Sequence, residues 1–101
     1  MDNIFIFRSN GNYLGFLNND NIFSRDGEYL GWVENNIAWG KEGNFRGQLI
    51  QINNHYYILR NKLTIPPIPR IPKITPVSPV PPIPPINILP ILSPIGFVDG
   101  F

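Results

Sequence analysis

One histidine, His55, and no cysteine bound the chemistry open to this 101-residue chain. Without cysteine there is no disulfide, no thiolate nucleophile and no Cys-type zinc site. His55 stands beside the Asn53-Asn54 pair with no carboxylate near it in sequence. A lone imidazole lacking such a partner is a poor metal site and a poor general base, so His55 is expected to be a strand residue beside a turn. Asp26, Glu28, Glu34 and Glu42 cluster at turn signals, where solvated carboxylates are ordinary. Ser9, Ser24, Ser78 and Ser93 have no neighbouring group that would make a nucleophile of them. The glycines are not followed by a helical pattern, so they do not form a phosphate cradle. No catalytic, metal or cofactor residue is expected, and the chain reads as non-enzymatic.

Charge and hydropathy narrow the classes further. The net charge of +1 does not point to nucleic acid. Residues 1–59 carry Arg8, Arg25, Lys41 and Arg46 against Asp2, Asp20, Asp26, Glu28, Glu34 and Glu42, that is 4 − 6 = −2. Stacking of aromatics on single-stranded nucleic acid is therefore a weaker reading than core packing. Arg60, Lys62, Arg70 and Lys73 form a basic collar before a long apolar stretch. Ile74 to Val98 carries no charge, but 8 prolines interrupt it, too many for a membrane-spanning helix. No signal peptide is evident, so a reducing, cytoplasmic setting is expected.

The elements that position these residues are set by a repeat. Gly11, Gly27 and Gly43 are 16 residues apart, and so are Gly15, Gly31 and Gly47. Between and around them run Phe7, Phe23 and Trp39, then Tyr13, Tyr29 and Phe45, then Leu17, Val33 and Leu49. Asn10-Gly11 and Asp26-Gly27 are strong hairpin turns, with Glu42-Gly43 in the same place. Polar turns at residues 18–20, 34–36 and 53–54 join one copy to the next. The spacing predicts an all-β antiparallel meander of 16-residue hairpin units over residues 1–63. The copies span about 4–19, 20–35 and 36–52, with a degenerate fourth from 53. Strand alternation puts Tyr13, Tyr29, Phe45, Leu17, Val33 and Leu49 on one core face with Phe7, Phe23 and Trp39. The mid-strand glycines are expected to receive an aromatic ring from a neighbouring copy. Asn61, four residues after Tyr57, takes the place of a left-handed turn glycine.

All 12 prolines lie between Pro66 and Pro94, so residues 64–95 form a separate proline-rich segment. Every third residue from Ile65 is apolar: Ile65, Ile68, Ile71, Ile74, Val77, Val80, Ile83, Ile86, Leu89, Leu92, Ile95, Val98 and Phe101. Three residues per turn is the polyproline II period, and proline presets its φ. An aliphatic stripe of this length should pack on something. Run straight, residues 65–95 would reach about 95 Å, against roughly 30 Å for a domain of this size. Either the tail bends around its own domain, or tails from several chains pack, or a partner covers the stripe. Phe16 and Trp32, on the less regular strand face, are candidate docking positions, because aromatic grooves suit polyproline II. Pro69-Arg70-Ile71-Pro72 also fits the bare pattern of a ligand for SH3-like partners. Residues 96–101, Gly-Phe-Val-Asp-Gly-Phe, repeat the spacing of Gly11 to Phe16, and can return to the sheet as the missing strand of the fourth unit.

The units Gly11-Asn-Tyr-Leu-Gly15-Phe, Gly27-Glu-Tyr-Leu-Gly31-Trp and Gly43-Asn-Phe-Arg-Gly47, with the Ile-Pro-rich tail, resemble the bacterial four-fold beta-flower domain family. The resemblance covers nearly the whole chain. It implies a shallow, barrel-like ring of hairpins with approximate rotational symmetry, and carries no activity across. The expectation is an interaction or assembly module that binds a protein partner or itself through Phe16, Trp32 and the stripe from Ile65 to Ile86. The alternative is a membrane-surface or lipid-binding module that uses the collar and the apolar tail.

Overall fold

The computed structural model describes residues 3–92 and 95–101, so Ser93 and Pro94 lie outside the described residues. The fold is all-β, in the order β1 (Ile4–Phe7), β2 (Tyr13–Asn18), β3 (Asn21–Ser24), β4 (Tyr29–Glu34), β5 (Ile37–Gly40), β6 (Phe45–Ile52), β7 (His55–Asn61) and β8 (Phe97–Asp99). Each strand from β1 to β7 pairs antiparallel with the next. With seven alternating strands the first and last run the same way. They therefore close the barrel as a parallel pair, Ile6 opposite Tyr56 and Phe7 opposite Tyr57. That seam is short. Beyond it β8 pairs antiparallel with the end of β7.

Two turn chemistries alternate around the ring. Asn19, Asp20, Asn35, Asn36, Asn53 and Asn54 all have φ between 50 and 66°. These are two-residue turns with both central residues left-handed, the type whose twist matches a hairpin, and Asn and Asp tolerate it best. The turns within each unit are different. At the first, Arg8 N–H donates to the Asn12 carbonyl and Gly11 N–H to that of Arg8, with Gly11 at φ 90°. This is a three-residue loop whose last position must be left-handed, which accounts for glycine at 11, 27 and 43. The Asn-Gly signal thus marks a turn, but the primed two-residue turns sit between the units.

A bulge in each unit corrects the expected face assignment. The register shifts between Ile6 and Phe7, between Ile22 and Phe23, and between Ala38 and Trp39. An extra residue on the facing strand reverses the side-chain alternation beyond it. Leu14 therefore joins Leu17, Ile6, Ile22, Val33, Ala38 and Ile58 in a single cluster fed by strands all round the barrel, its interior. Tyr13, Tyr29 and Phe45 instead join Phe7, Phe23, Trp39, Phe16 and Trp32 in two outer clusters. The mid-strand glycines also receive something other than a ring. A Cβ at Gly15, Gly31 or Gly47 would strike the carbonyl of Phe23, Trp39 or Leu59 on the adjacent strand.

The fourth unit departs from the first three in a definite way. Leu17 pairs with Ile22 and Val33 with Ala38, five residues apart, but Leu49 pairs with Ile58, nine apart. The β6–β7 hairpin is longer by two residues on each strand. Asn61 therefore ends β7 in pairing with Phe97 and is not a left-handed turn residue. Its side chain accepts the Leu63 amide at 2.9 Å. Residues 97–99 do supply a return strand, and the segment seals one end of the barrel. Asp99 accepts both the amide and the hydroxyl of Ser9 at 2.8 Å. Arg46 stacks over the Phe101 ring at 4.2 Å and donates through Nε to the Gly100 carbonyl. Burial, then the nearby Arg60 cation, pulls the Arg46 pKa below its ordinary value.

Candidate interaction surface

The proline-rich segment forms a strap around the outside of the barrel. The molecule is a disc of 36 × 34 × 18 Å. The perimeter of such a disc is about 110 Å, close to the roughly 95 Å an extended segment of this length can span. The strap bends around its own domain, and it visits the units in reverse order. Arg70 N–H donates to the Gly43 carbonyl at 2.8 Å, and Ile88 N–H to the Gly11 carbonyl at 2.9 Å. Midway between them is Pro79, which has no N–H. There the Ser78 hydroxyl donates to the Gly27 carbonyl at 2.6 Å instead. Residues 70, 79 and 88 thus mark three contact points nine residues apart, one for each 16-residue step of the barrel. Nine more residues lead to Phe97, opposite Asn61 in the fourth unit.

The turn glycines are required for this seating. A Cβ at Gly43 would strike the Arg70 carbonyl, and one at Gly11 the Ile88 carbonyl. Two neighbouring contacts lock the last point: the Tyr13 amide donates to Asn87 Oδ1 at 3.0 Å, and Ile91 N–H donates to the Ser9 carbonyl at 2.8 Å.

Ser78 and Asn87 are also nine residues apart. Sequence reasoning missed their role, although both interrupt the proline columns at that spacing.

The period of three holds, but the column that faces the barrel is not the aliphatic one. Pro76, Pro79, Pro82, Pro85, Ile88 and Ile91 are the half-buried positions of the strap. Continued backwards, the same column holds Arg70 and Lys73, and both lie over indoles. The Arg70 guanidinium is 4.9 Å from the Trp39 ring centroid, and the Lys73 ammonium 5.2 Å from that of Trp32. Flat proline rings and cations match an aromatic outer wall better than branched aliphatics do, and inward amides can reach the turn carbonyls. Ile65, Ile68, Ile71, Ile74, Val77, Val80, Ile83 and Ile86 consequently point outward, as do Leu89, Leu92 and Ile95, each 86% or more exposed. Val98 and Phe101 leave the pattern, half-buried in the closing segment.

Four units, the last completed by β8, thus make a closed ring of hairpins. The family model described as 4-fold beta flower protein matches residues 1–94. The chain belongs to the 4-fold beta flower family. No curated protein and no solved structure matches it. Phe16 and Trp32 are fully buried in the aromatic wall, Phe16 stacked on Phe23 at 5.4 Å. Trp32 meets the strap through Lys73, while both rings are closed to an outside partner. The collar is divided: Arg70 reaches Glu34 at 3.3 Å and holds its carboxyl below the usual range, with a smaller pull from the Trp32 hydrogen bond. Arg70, the basic residue of the Pro69–Pro72 motif, is thus engaged with Glu34 and Trp39 at the surface. His55 lies edge-on to Phe7 at 5.4 Å, beside a groove of about 510 Å³ along the barrel seam. Among the described residues no cluster of His, Asp or Glu could hold a metal, and no helix is long and apolar enough to cross a membrane.

Proposed function

We propose that this beta flower is a non-enzymatic assembly module. Its strap, a polyproline II helix, presents the outward aliphatic column to a protein surface, in the first instance another copy of the chain. The observation that carries this is the exposure of eleven aliphatic side chains, each 86% or more, along one continuous line. Together they present on the order of 1,000 Å² of apolar surface. Soluble monomers rarely show more than a few hundred Å² in one patch, and a standard interface buries about 800 Å² per partner. The column is uncharged, and the backbone hydrogen bonds that seat the strap come from Arg70, Ile88 and Ile91, outside it.

The test is sedimentation velocity across a wide concentration range. The native chain should self-associate, and Ile71→Ser/Ile74→Ser/Val77→Ser should sediment as a monomer with unchanged thermal stability. A native chain that remains monomeric up to about 1 mM would overturn the reading, since that bounds association at a strength too weak to use. A membrane surface is the second candidate for the same column, because Arg60 and Lys62 adjoin it. Against that, Arg70 and Lys73 are already engaged with Glu34, Trp39 and Trp32. If lipid is the occupant, liposome sedimentation should be lost in Arg60→Glu/Lys62→Glu.

A further inference from the structure

Where the strap passes the junction of the first and second units it leaves a cleft of about 350 Å³. Its polar lining is Arg8, Asn12, Tyr13, Ser24, Arg25 and Asn87, and its floor is Leu14 and Leu30. No carboxylate lines it. Asp26 and Glu28 are on the adjoining turn, yet no ion pair joins either to Arg25 among the described residues.

The lining is rich in donors with nothing to donate to. The Arg25 guanidinium makes no hydrogen bond or ion pair among the described residues, and Arg8 engages only its Nε, on the Phe101 main-chain oxygen. Asn87 has its carbonyl oxygen taken by the Tyr13 amide, which leaves its NH₂. The Ser24 oxygen accepts the Asp26 and Glu28 amides, which leaves its O–H to donate. The Tyr13 hydroxyl is buried without a partner, within electrostatic reach of Arg25.

We propose that this cleft binds a phosphate monoester, with the phosphoryl group between Arg8 and Arg25 and the organic part on Leu14 and Leu30. Two guanidiniums match a dianion in charge, and their planar forks match phosphate oxygens in geometry. Ser24, Asn12 and Asn87 add neutral donors to a group that accepts hydrogen bonds on three oxygens. A metal ion is disfavoured by two permanently charged guanidiniums, and a simple carboxylate satisfies fewer of the donors. A volume of about 350 Å³ leaves room for a small organic substituent and falls in the range of small-molecule sites. This inference is independent of the aliphatic column.

Titration calorimetry with phenyl phosphate at low salt tests it, with benzoate for comparison. Phenyl phosphate should bind more tightly than benzoate. Arg25→Gln, an exposed side chain that supports no packing, should weaken binding about tenfold or more, as the loss of a charge-assisted contact does. Lys41→Gln, outside the cleft, should leave it unchanged. No binding at about 10 mM phenyl phosphate, equal affinity for benzoate, or indifference to Arg25→Gln overturns the proposal. Phosphatidylcholine vesicles containing phosphatidic acid separate the two sources of the group. Sedimentation that depends on Arg25 assigns it to a lipid headgroup, and binding of phenyl phosphate alone assigns it to a soluble ester.

Discussion

Alanine at Gly43 and alanine at Gly27 place the same methyl group on the same backbone conformation, φ 91° and φ 90°. The conformational cost is therefore shared, at about 1 kcal/mol for leaving glycine in the left-handed region. The surroundings differ. At Gly43 the methyl would strike the Arg70 carbonyl, whereas at Gly27 the nearest strap atom is Pro81 Cγ at 3.1 Å, the tip of a ring that can give. Gly43→Ala must push the strap away and lose the bond from Arg70 N–H to the Gly43 carbonyl, worth about 1 kcal/mol net. Roughly 2–3 kcal/mol is expected at Gly43, against about 1 at Gly27. For a chain near 100 residues each kcal/mol lowers Tm by about 4–8 °C, so the two variants should separate clearly in a thermal melt. Gly11→Ala, which meets the Ile88 carbonyl, should fall with Gly43→Ala. Equal losses at all three glycines would refute the seating of the strap on the turns.

Further outcomes follow from the same contacts. Asn36→Gly should leave stability unchanged or raise it, and Asn36→Ala should cost about 1 kcal/mol in urea unfolding, because Asn36 sits at φ 64°. Asp99→Ala should cost about 1–3 kcal/mol by the same measurement, since it strips Ser9 of two acceptors that tie the closing segment to the first turn. Glu34 should titrate by NMR below the ordinary carboxylate range, and Arg70→Gln should return it upward. A depressed folded pKa gives a contribution that is present above the unfolded value and fades as pH falls through the folded one. The Glu34 contribution should therefore fade only under acid conditions. Salt should shrink it, as the pair is at the surface.

Much of this fold is written in the chain at short range. Glycines at positions 11, 27 and 43 and the Asn/Asp pairs name the turns, because few residues tolerate their dihedrals. Closure by residues 96–101 is legible too, as the echo of Gly11 to Phe16. The faces are not, because alternation from Tyr13 to Leu17 runs through a bulge that only the pairing of Phe7 with Tyr13 reveals. The tail shows the same limit. Its period of three is plain, but apolarity alone points the wrong column inward. Which column faces the barrel depends on the aromatic wall formed by Tyr13, Phe16, Phe23, Trp32 and Trp39. It also depends on the need of strap amides at positions 70, 88 and 91 for carbonyl partners. Arg8 and Arg25 give no sequence signal, because the strap residue Asn87 that completes their cleft is more than sixty positions away.

Since the chain has no cysteine, single cysteines can be read one at a time along the strap. Thiol-labelling rates at positions 71, 74, 77 and 80, against 76, 79 and 82, test the central claim most directly. In dilute protein the aliphatic column should label at the rate of a free peptide and the proline column far more slowly. Concentrated protein should protect the aliphatic column as well. The account is contradicted if labelling shows no three-residue period, or if the aliphatic column is the protected one when the protein is dilute.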